Sequence, residues 1–283
     1  MLGAVMAGAT IAAAGHAVLL APRRLRVARI DAPIRGLPSA FDGYTIAALG
    51  DIHHGSVVAP TRHLRRAIRL TQRERPDLVA LLGDYALSHR ALPRTSRRLY
   101  EYGLRALSPV LRELHAPDGV VAVLGNHDYD YDAPAVAEWL RTLGARVLVN
   151  HCVRLTRGDG SLVVAGVDDA TYGRIDPLAG CGGEPAETPR IVLSHNPDGI
   201  RALAPEARVD LMLSGHTHGG QVVIPFLGAP ARHCVTCGPR CASGWVPNDR
   251  AALYVTTGVG VVLPFRVRCP PEVLIVRLRA ARG

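Results

Sequence analysis

Lysine is absent from this chain. All 33 basic side chains are arginine; against 24 acidic ones they leave a net charge of +9 and a pI near 9.7. So uniform a replacement is the mark of GC-rich coding rather than of selection for a partner. The arginines are scattered and form no tight run, which argues against nucleic acid as a specific partner. The same charge suits an anionic substrate or an anionic membrane surface. Internal repeats and low-complexity linkers are also missing, and no stretch has a disordered composition. With 283 residues and 48% hydrophobic side chains, these absences leave one large α/β domain with a substantial core.

Charge is missing again from residues 1–22, apart from His16, where Ala, Val, Leu, Ile and Gly dominate. About 20 apolar residues span a bilayer. Arg23, Arg24, Arg26 and Arg29 follow at once, whereas a secretory signal carries its positive charges ahead of the apolar run. Residues 1–25 are therefore expected to be a membrane anchor or export signal, a buried Ala-rich helix being the alternative, and 26–283 a single domain. The positive-inside rule puts the Arg cluster in the cytoplasm. That conflicts with export, so the side of the membrane stays open.

Residues 26–43 read as an extended lead-in broken by Pro33, Gly36 and Pro38. Beyond them apolar runs alternate with amphipathic segments. Strands are expected at Tyr44–Leu49, Asp77–Leu82, Val120–Leu124, Arg146–Val149, Val153–Thr156, Leu162–Val167, Ile191–Leu193 and Leu211–Leu213. Further candidates are Val222–Ile224, Leu253–Thr256 and Val273–Leu278. Helical spacing covers Pro60–Arg73, Arg94–Leu114 and Ala133–Leu143.

Five of the apolar runs end in a turn bearing Asp, Asn or His. These turns are Gly50-Asp51-Ile52-His53, Gly83-Asp84, Gly125-Asn126-His127-Asp128, Ser194-His195-Asn196-Pro197 and Gly215-His216-Thr217-His218. Loops at the carboxyl ends of neighbouring strands converge, so ligand sites collect there. Carboxylates from Asp51 and Asp84, an amide from Asn126 and imidazoles from His53, His195, His216 and His218 make a nitrogen and oxygen donor set without thiolate. It suits Mn, Fe or Zn. Seven ligands exceed one tetrahedral site and fit two divalent ions sharing a carboxylate, an arrangement suited to displacement at phosphorus. Any one of these turns alone is ordinary loop chemistry; the ordered set of five is not.

In order and content, the five turns resemble the motifs of the calcineurin-like metallophosphoesterases, over roughly Tyr44 to the C-terminus. Ser194-His195-Asn196-Pro197-Asp198 and Gly215-His216-Thr217-His218-Gly219-Gly220-Gln221 resemble its membrane-associated or exported bacterial branch of phosphodiesterases. The resemblance implies a four-layer α/β/β/α sandwich of two packed mixed β-sheets flanked by helices. It implies that Asp51, His53 and His218 hold one metal, that Asn126, His195 and His216 hold a second, and that Asp84 bridges them. A hydroxide between the metals then attacks phosphorus. His127 is expected beside the phosphate as transition-state stabiliser or proton donor, with Asp128 orienting its imidazole. The substrate class implied is a phosphoester, lipid or cell-envelope derived, handled by a monomer. Two rivals are a pyrophosphatase on a lipid-linked nucleotide, similar to the UDP-2,3-diacylglucosamine hydrolases, and a metal-stabilised binding protein without turnover.

Gly50 stands where that family usually has Ser, and the extra His54 of the same motif is expected to be a solvated loop residue, facing the substrate being the alternative. Asp168 and Asp169 are expected to be structural or substrate-contacting rather than metal ligands. Cys234, Cys237 and Cys241 lie in a Gly/Pro-flanked insertion, with Cys152, Cys181 and Cys269 elsewhere. Disulfides, free thiols and a structural zinc all remain open for them.

Overall fold

The computed structural model of the chain describes residues 15–56, 60–87, 93–176, 181, 184–230, 234, 236 and 242–281, without the side chains of 93–96. Residues 1–14 of the expected N-terminal segment, together with Cys237 and Cys241, lie outside the described residues.

Two six-stranded sheets carry the fold. The first has the order β1 (Arg26–Ile34), β12 (Glu272–Ala280), β2 (Thr45–Leu49), β3 (Leu78–Leu81), β4 (Val120–Ala122), β5 (Arg146–Val147). The second runs β10 (Gly244–Val246), β11 (Ala252–Val255), β9 (Leu211–Ser214), β8 (Arg190–Leu193), β7 (Gly160–Gly166), β6 (His151–Arg157). Both are mixed. The central runs β2-β3-β4-β5 and β11-β9-β8-β7 are parallel, while β12 on β2, β10 on β11 and β6 on β7 are antiparallel.

The continuous apolar sequence of the central strands follows from burial on both faces. Ile46, Leu78 and Val121 of the first sheet meet Leu162, Ile191 and Leu211 of the second in a core between the sheets. The opposite face of the first sheet, with Ala47, Val79 and Ala122, receives helices α1 (Thr61–Arg73) and α2 (Pro93–Leu111) through Leu64, Ile68, Leu107 and Val110. On α1 the buried positions Leu64, Ala67, Ile68 and Thr71 form the single stripe that 3.6-residue periodicity requires. Helices α3 (Asn126–Tyr131) and α4 (Ala133–Thr142) follow β4. Among the described residues, the outer face of the second sheet is packed by α5 (Gly199–Ala202), Leu203, Cys181 and Cys234. The expected sandwich of two mixed sheets flanked by helices is the observed architecture.

The strand β10 and the helix α3 are not among the expected elements, and two expected segments differ in kind. The lead-in is a strand as far as Ile34, paired parallel with β12 from Arg26↔Glu272 to Ile34↔Ala280. Its Pro33 is tolerated because β1 lies at the sheet edge, where one side of the backbone needs no partner. Val222–Ile224, expected as a strand, forms only isolated bridges to Val267 and Gly228. Its apolar residues line a surface turn rather than a sheet.

Candidate metal centre

The carboxyl ends of β2, β3 and β4 in one sheet, and of β8 and β9 in the other, open at the same end of the sandwich. Backbone bonds lock the turns to one another: Asp51 N donates to Gly83 O, His53 N to Asp84 O, and Gly215 N to His195 O. Across the sheets, His216 N donates to both carboxylate oxygens of Asp51, at 3.0 and 3.1 Å. Asp51, His53, Asp84, His216 and His218 all have positive φ, between 42° and 69°. Each left-handed non-glycine residue costs on the order of 1 kcal/mol, a cost that only the surrounding packing sustains. The turns are shaped for where they aim side chains, not for backbone comfort.

All seven sequence-chosen donors converge. Around Asp51 and His53, His53 Nε2 lies 3.1 Å from His218 Nε2 and 3.5 Å from Asp84 Oδ2, and His218 Nε2 lies 3.6 Å from Asp51 Oδ1. On the other flank, His195 Nε2 is 3.3 Å from the same Asp84 Oδ2, 3.1 Å from Asn126 Oδ1 and 3.2 Å from His216 Nδ1. Asn126 Oδ1 is in turn 2.8 Å from His216 Nδ1. One oxygen of Asp84 thus faces both groups, while its Oδ1 accepts from His127 N at 2.9 Å. Three trios with ligand atoms mutually within 4.8 Å, Asp51/His53/His218, Asp51/Asp84/His195 and His53/Asp84/His127, describe the same cluster.

The chemistry of this focus demands a cation. His195 Nδ1 lies 2.8 Å from Leu82 O. A carbonyl only accepts, so Nδ1 carries a proton and Nε2 is the nitrogen that faces the oxygens of Asp84 and Asn126. Despite burial, the Asp84 carboxylate raises His195 well above its usual value, and a bound metal would take the place of the proton on Nε2. Donors and oxygens crowded at 3.1–3.3 Å need positive charge among them, supplied by a proton on Nε2 or by a metal ion in its place. Donors bound at about 2.0–2.2 Å to one ion are themselves about 3 Å apart, the spacing seen on both flanks. The residues fit a pair of divalent ions. Their electrostatics agree: burial and the neighbouring Asp84 push Asp51 up to about 7, and burial takes His53 down to about 3. Asp84 is held well below the usual carboxylate range despite its burial, by His195 and His127.

His127 sits at the open rim of the cluster, its side chain 21% exposed and its ring edge-on to His53 at 5.0 Å. Its ion-pair partner is Asp130, 3.8 Å from Nδ1. Asp128 occupies a different place from the one expected. Fully buried, it accepts from Asp84 N at 2.9 Å, Tyr85 N at 3.1 Å and Gly125 N at 2.7 Å, and from the Tyr100 hydroxyl. Both oxygens are spent on tying the Gly83-Asp84 and Gly125-Asn126 turns together. The sequence reading overlooked Tyr100 and Asp130; Asp130, four residues beyond Asn126 on α3, was visible only as helical spacing.

His54, expected in solvent, is buried and 3.0 Å from Thr61 Oγ1 through Nε2, because the turn folds under α1. Asp168 is structural: it accepts from the Tyr129 hydroxyl, Asp169 N and Arg174 N. Asp169 caps its own turn through Thr171 N and Tyr172 N. Cys152 is bonded to Cys181, Cys234 is buried, and Cys269 is a buried free thiol. The Arg266 guanidinium, another residue the sequence did not flag, is fully buried and donates to the carbonyls of His218, Thr257, Gly260 and Cys269. It fastens the His218 turn to the 257–269 segment.

Comparison with known proteins agrees with this geometry. Residues 44–220 match the family described as calcineurin-like phosphoesterase. The chain is 31% identical over 287 residues to the metallophosphoesterase YkuE of Bacillus subtilis, covering 99% of this chain and 95% of that protein. It is 32% identical over 238 residues to the phosphodiesterase YaeI of Escherichia coli, covering 83% and 82%. To the UDP-2,3-diacylglucosamine pyrophosphatase LpxG of Chlamydia trachomatis it is 26% identical over 314 residues, covering 91% and 90%. The chain belongs to the calcineurin-like phosphoesterase family, hydrolases of phosphoester bonds that work with a pair of divalent metal ions.

Proposed function

We propose that this protein is a membrane-associated phosphodiesterase. Asp51, His53 and His218 would hold one ion and Asn126, His195 and His216 the other, with Asp84 shared between them. The carrying observation is the shared Asp84 Oδ2, 3.5 Å from His53 Nε2 and 3.3 Å from His195 Nε2, at the meeting point of loops from both sheets. When bound, the ions neutralise phosphoryl oxygens and lower the pKa of the attacking water; the nitrogen and oxygen donors accept Mn, Fe or Zn.

The chain's own residues do the rest. His195 is fixed in one tautomer by Leu82 O, so its ligand nitrogen needs no reorganisation. Asp51 is clamped by His216 N. His127, at the rim, would donate a proton to a phosphoryl oxygen or to the departing alkoxide, with Asp130 3.8 Å from its Nδ1. Asp128 acts by holding the turns that carry Asp84 and Asn126. The phosphodiester reading draws support from likeness to YaeI. A pyrophosphatase acting on a lipid-linked nucleotide is the second reading, supported by likeness to LpxG across 91% of the chain.

The test is hydrolysis of bis-(p-nitrophenyl) phosphate by protein stripped with chelator and reconstituted with Mn²⁺. Activity is expected to vanish on stripping and return with metal; hydrolysis that survives complete metal removal refutes the mechanism. His127→Ala should keep both metals and lose about 10²–10⁴ in rate. Loss of metal in that variant would make His127 a ligand instead.

A further inference from the structure

Among the described residues, most large hydrophobic side chains that face solvent belong to three neighbouring segments. Val18, Leu19 and Leu20 lie in the first, Ile224, Phe226 and Leu227 in the second, and Leu263 and Val267 in the third. Backbone bonds join them: Arg266 N donates to Ala17 O at 2.9 Å, and Val223 N to Val267 O at 3.0 Å. The side chain of Gln221 reaches the carbonyls of Leu263 and Phe265 at 3.2 and 2.9 Å. Together they form one apolar rim, and buried Arg266 bolts it to the carbonyl of the metal-loop residue His218.

Phe226 shows that the rim is built rather than incidental. It is 97% exposed and has φ +66°, in a turn closed by Leu227 N and Gly228 N on Ile224 O. A bulky residue in the left-handed region is strained, and an exposed phenyl ring gains nothing from folding. Neither cost is offset by burial of the ring against the described residues.

Three facts name the occupant. The apolar N-terminal run of residues 1–22 leads directly into the rim at Ala17–Leu20. No Asp or Glu occurs in residues 15–25, 221–230 or 259–271, while Arg24 and Arg268 are exposed on the same segments. Apolar tips on acid-free segments that carry exposed arginines match an anionic bilayer surface. No described helix is long and apolar enough to cross a membrane.

We propose that Leu19, Leu20, Ile224, Phe226, Leu227 and Leu263 form a second, loop-borne contact that inserts into the headgroup and acyl boundary of an anionic bilayer. This deepens the membrane-associated reading above and rests on it. Because the rim starts directly after the His218 turn, a chain seated on it holds the metal centre beside the lipid headgroups. The rim, not only the N-terminal run, then orients the centre.

The test uses the full chain with Phe226→Trp, at a tip that is open to solvent, and vesicles of phosphatidylcholine with phosphatidylglycerol, with and without brominated acyl chains. Flotation of the unmodified chain tests membrane association itself; a chain that fails to float refutes that reading and this inference together. In floating protein, the emission of the introduced indole is read after correction for Trp139 and Trp245. It is expected to shift to the blue and lose most of its intensity to brominated chains. Flotation with unchanged, unquenched emission overturns the inference while leaving membrane association standing. A concentration-dependent blue shift without vesicles also overturns it, in favour of a second copy of the chain. Turnover of bis-(p-nitrophenyl) phosphate by the variant should match the unmodified protein, so a failed phosphodiesterase reading is separately visible.

Discussion

Replacing Asp128 by Asn tests whether this residue works through the fold or through His127. The substitution is nearly isosteric and removes one acceptor oxygen from a fully buried group that four donors surround. Burial and the adjacent Asp84 raise Asp128 to about 6, so at pH 8 it is ionised and its hydrogen bonds are charge-assisted. Such bonds contribute about 1.5–3 kcal/mol each. Asn can satisfy the donors at one oxygen but turns an amide NH₂ toward the pair at the other, which are Asp84 N and Gly125 N or Tyr85 N and the Tyr100 hydroxyl. Losing two bonds should cost roughly 3–6 kcal/mol, a large part of the about 5–15 kcal/mol that holds a typical domain folded. Urea unfolding of metal-loaded protein at pH 8 reads this directly, with metal content measured in parallel. The expected result is a lowered midpoint and weakened metal binding, since the freed backbone belongs to the turns of Asp84 and Asn126. Tyr100→Phe, which deletes one donor, should cost about 1.5–3 kcal/mol and leave turnover near normal. If Asp128→Asn unfolds with an unchanged midpoint yet loses its rate, Asp128 acts on His127 and the structural role assigned here is wrong.

Three further outcomes are expected. Gly215→Ala puts a Cβ 2.6 Å from Asp51 Oδ2; elemental analysis should find metal lost first from the Asp51 side, so two retained ions would contradict the geometry. His63, buried with Nε2 3.0 Å from Val259 O, is held below its ordinary value of 6.5 by desolvation. Below about pH 6.5 the unfolded chain therefore binds a proton that the folded one refuses, and stability falls by up to about 1.4 kcal/mol per pH unit for each such imidazole; His63→Gln should flatten that acid limb in pH-resolved unfolding. The Cys152–Cys181 bond closes a separation of 29 residues, so Cys152→Ser should lower stability by about 3–4 kcal/mol while both metals stay bound. Unaltered unfolding in the variant would show that the bond constrains nothing.

Sequence spacing was enough for the strands that carry the centre, because β2, β3, β4, β8 and β9 are buried on both faces and read as unbroken apolar runs before a polar turn. It was not enough for β1, whose pattern is blurred by an exposed edge, or for Val222–Ile224, whose apolar residues face out. Exposure carries no periodic signature, so the rim around Phe226 was invisible in one dimension. The same is true of Arg266, one arginine among 33 until burial singles it out.

From the chain alone came the donor types and their order: carboxylates, an amide and imidazoles behind apolar strands, chemistry that suits a pair of divalent ions whatever surrounds it. Only the folded sandwich decided which oxygen of Asp84 faces both flanks, that Asp128 braces turns while Asp130 attends His127, and that His54 is buried. The physical reason is that a residue's type sets which bonds it can make. Its partners, and therefore its role, depend on contacts between segments far apart in sequence.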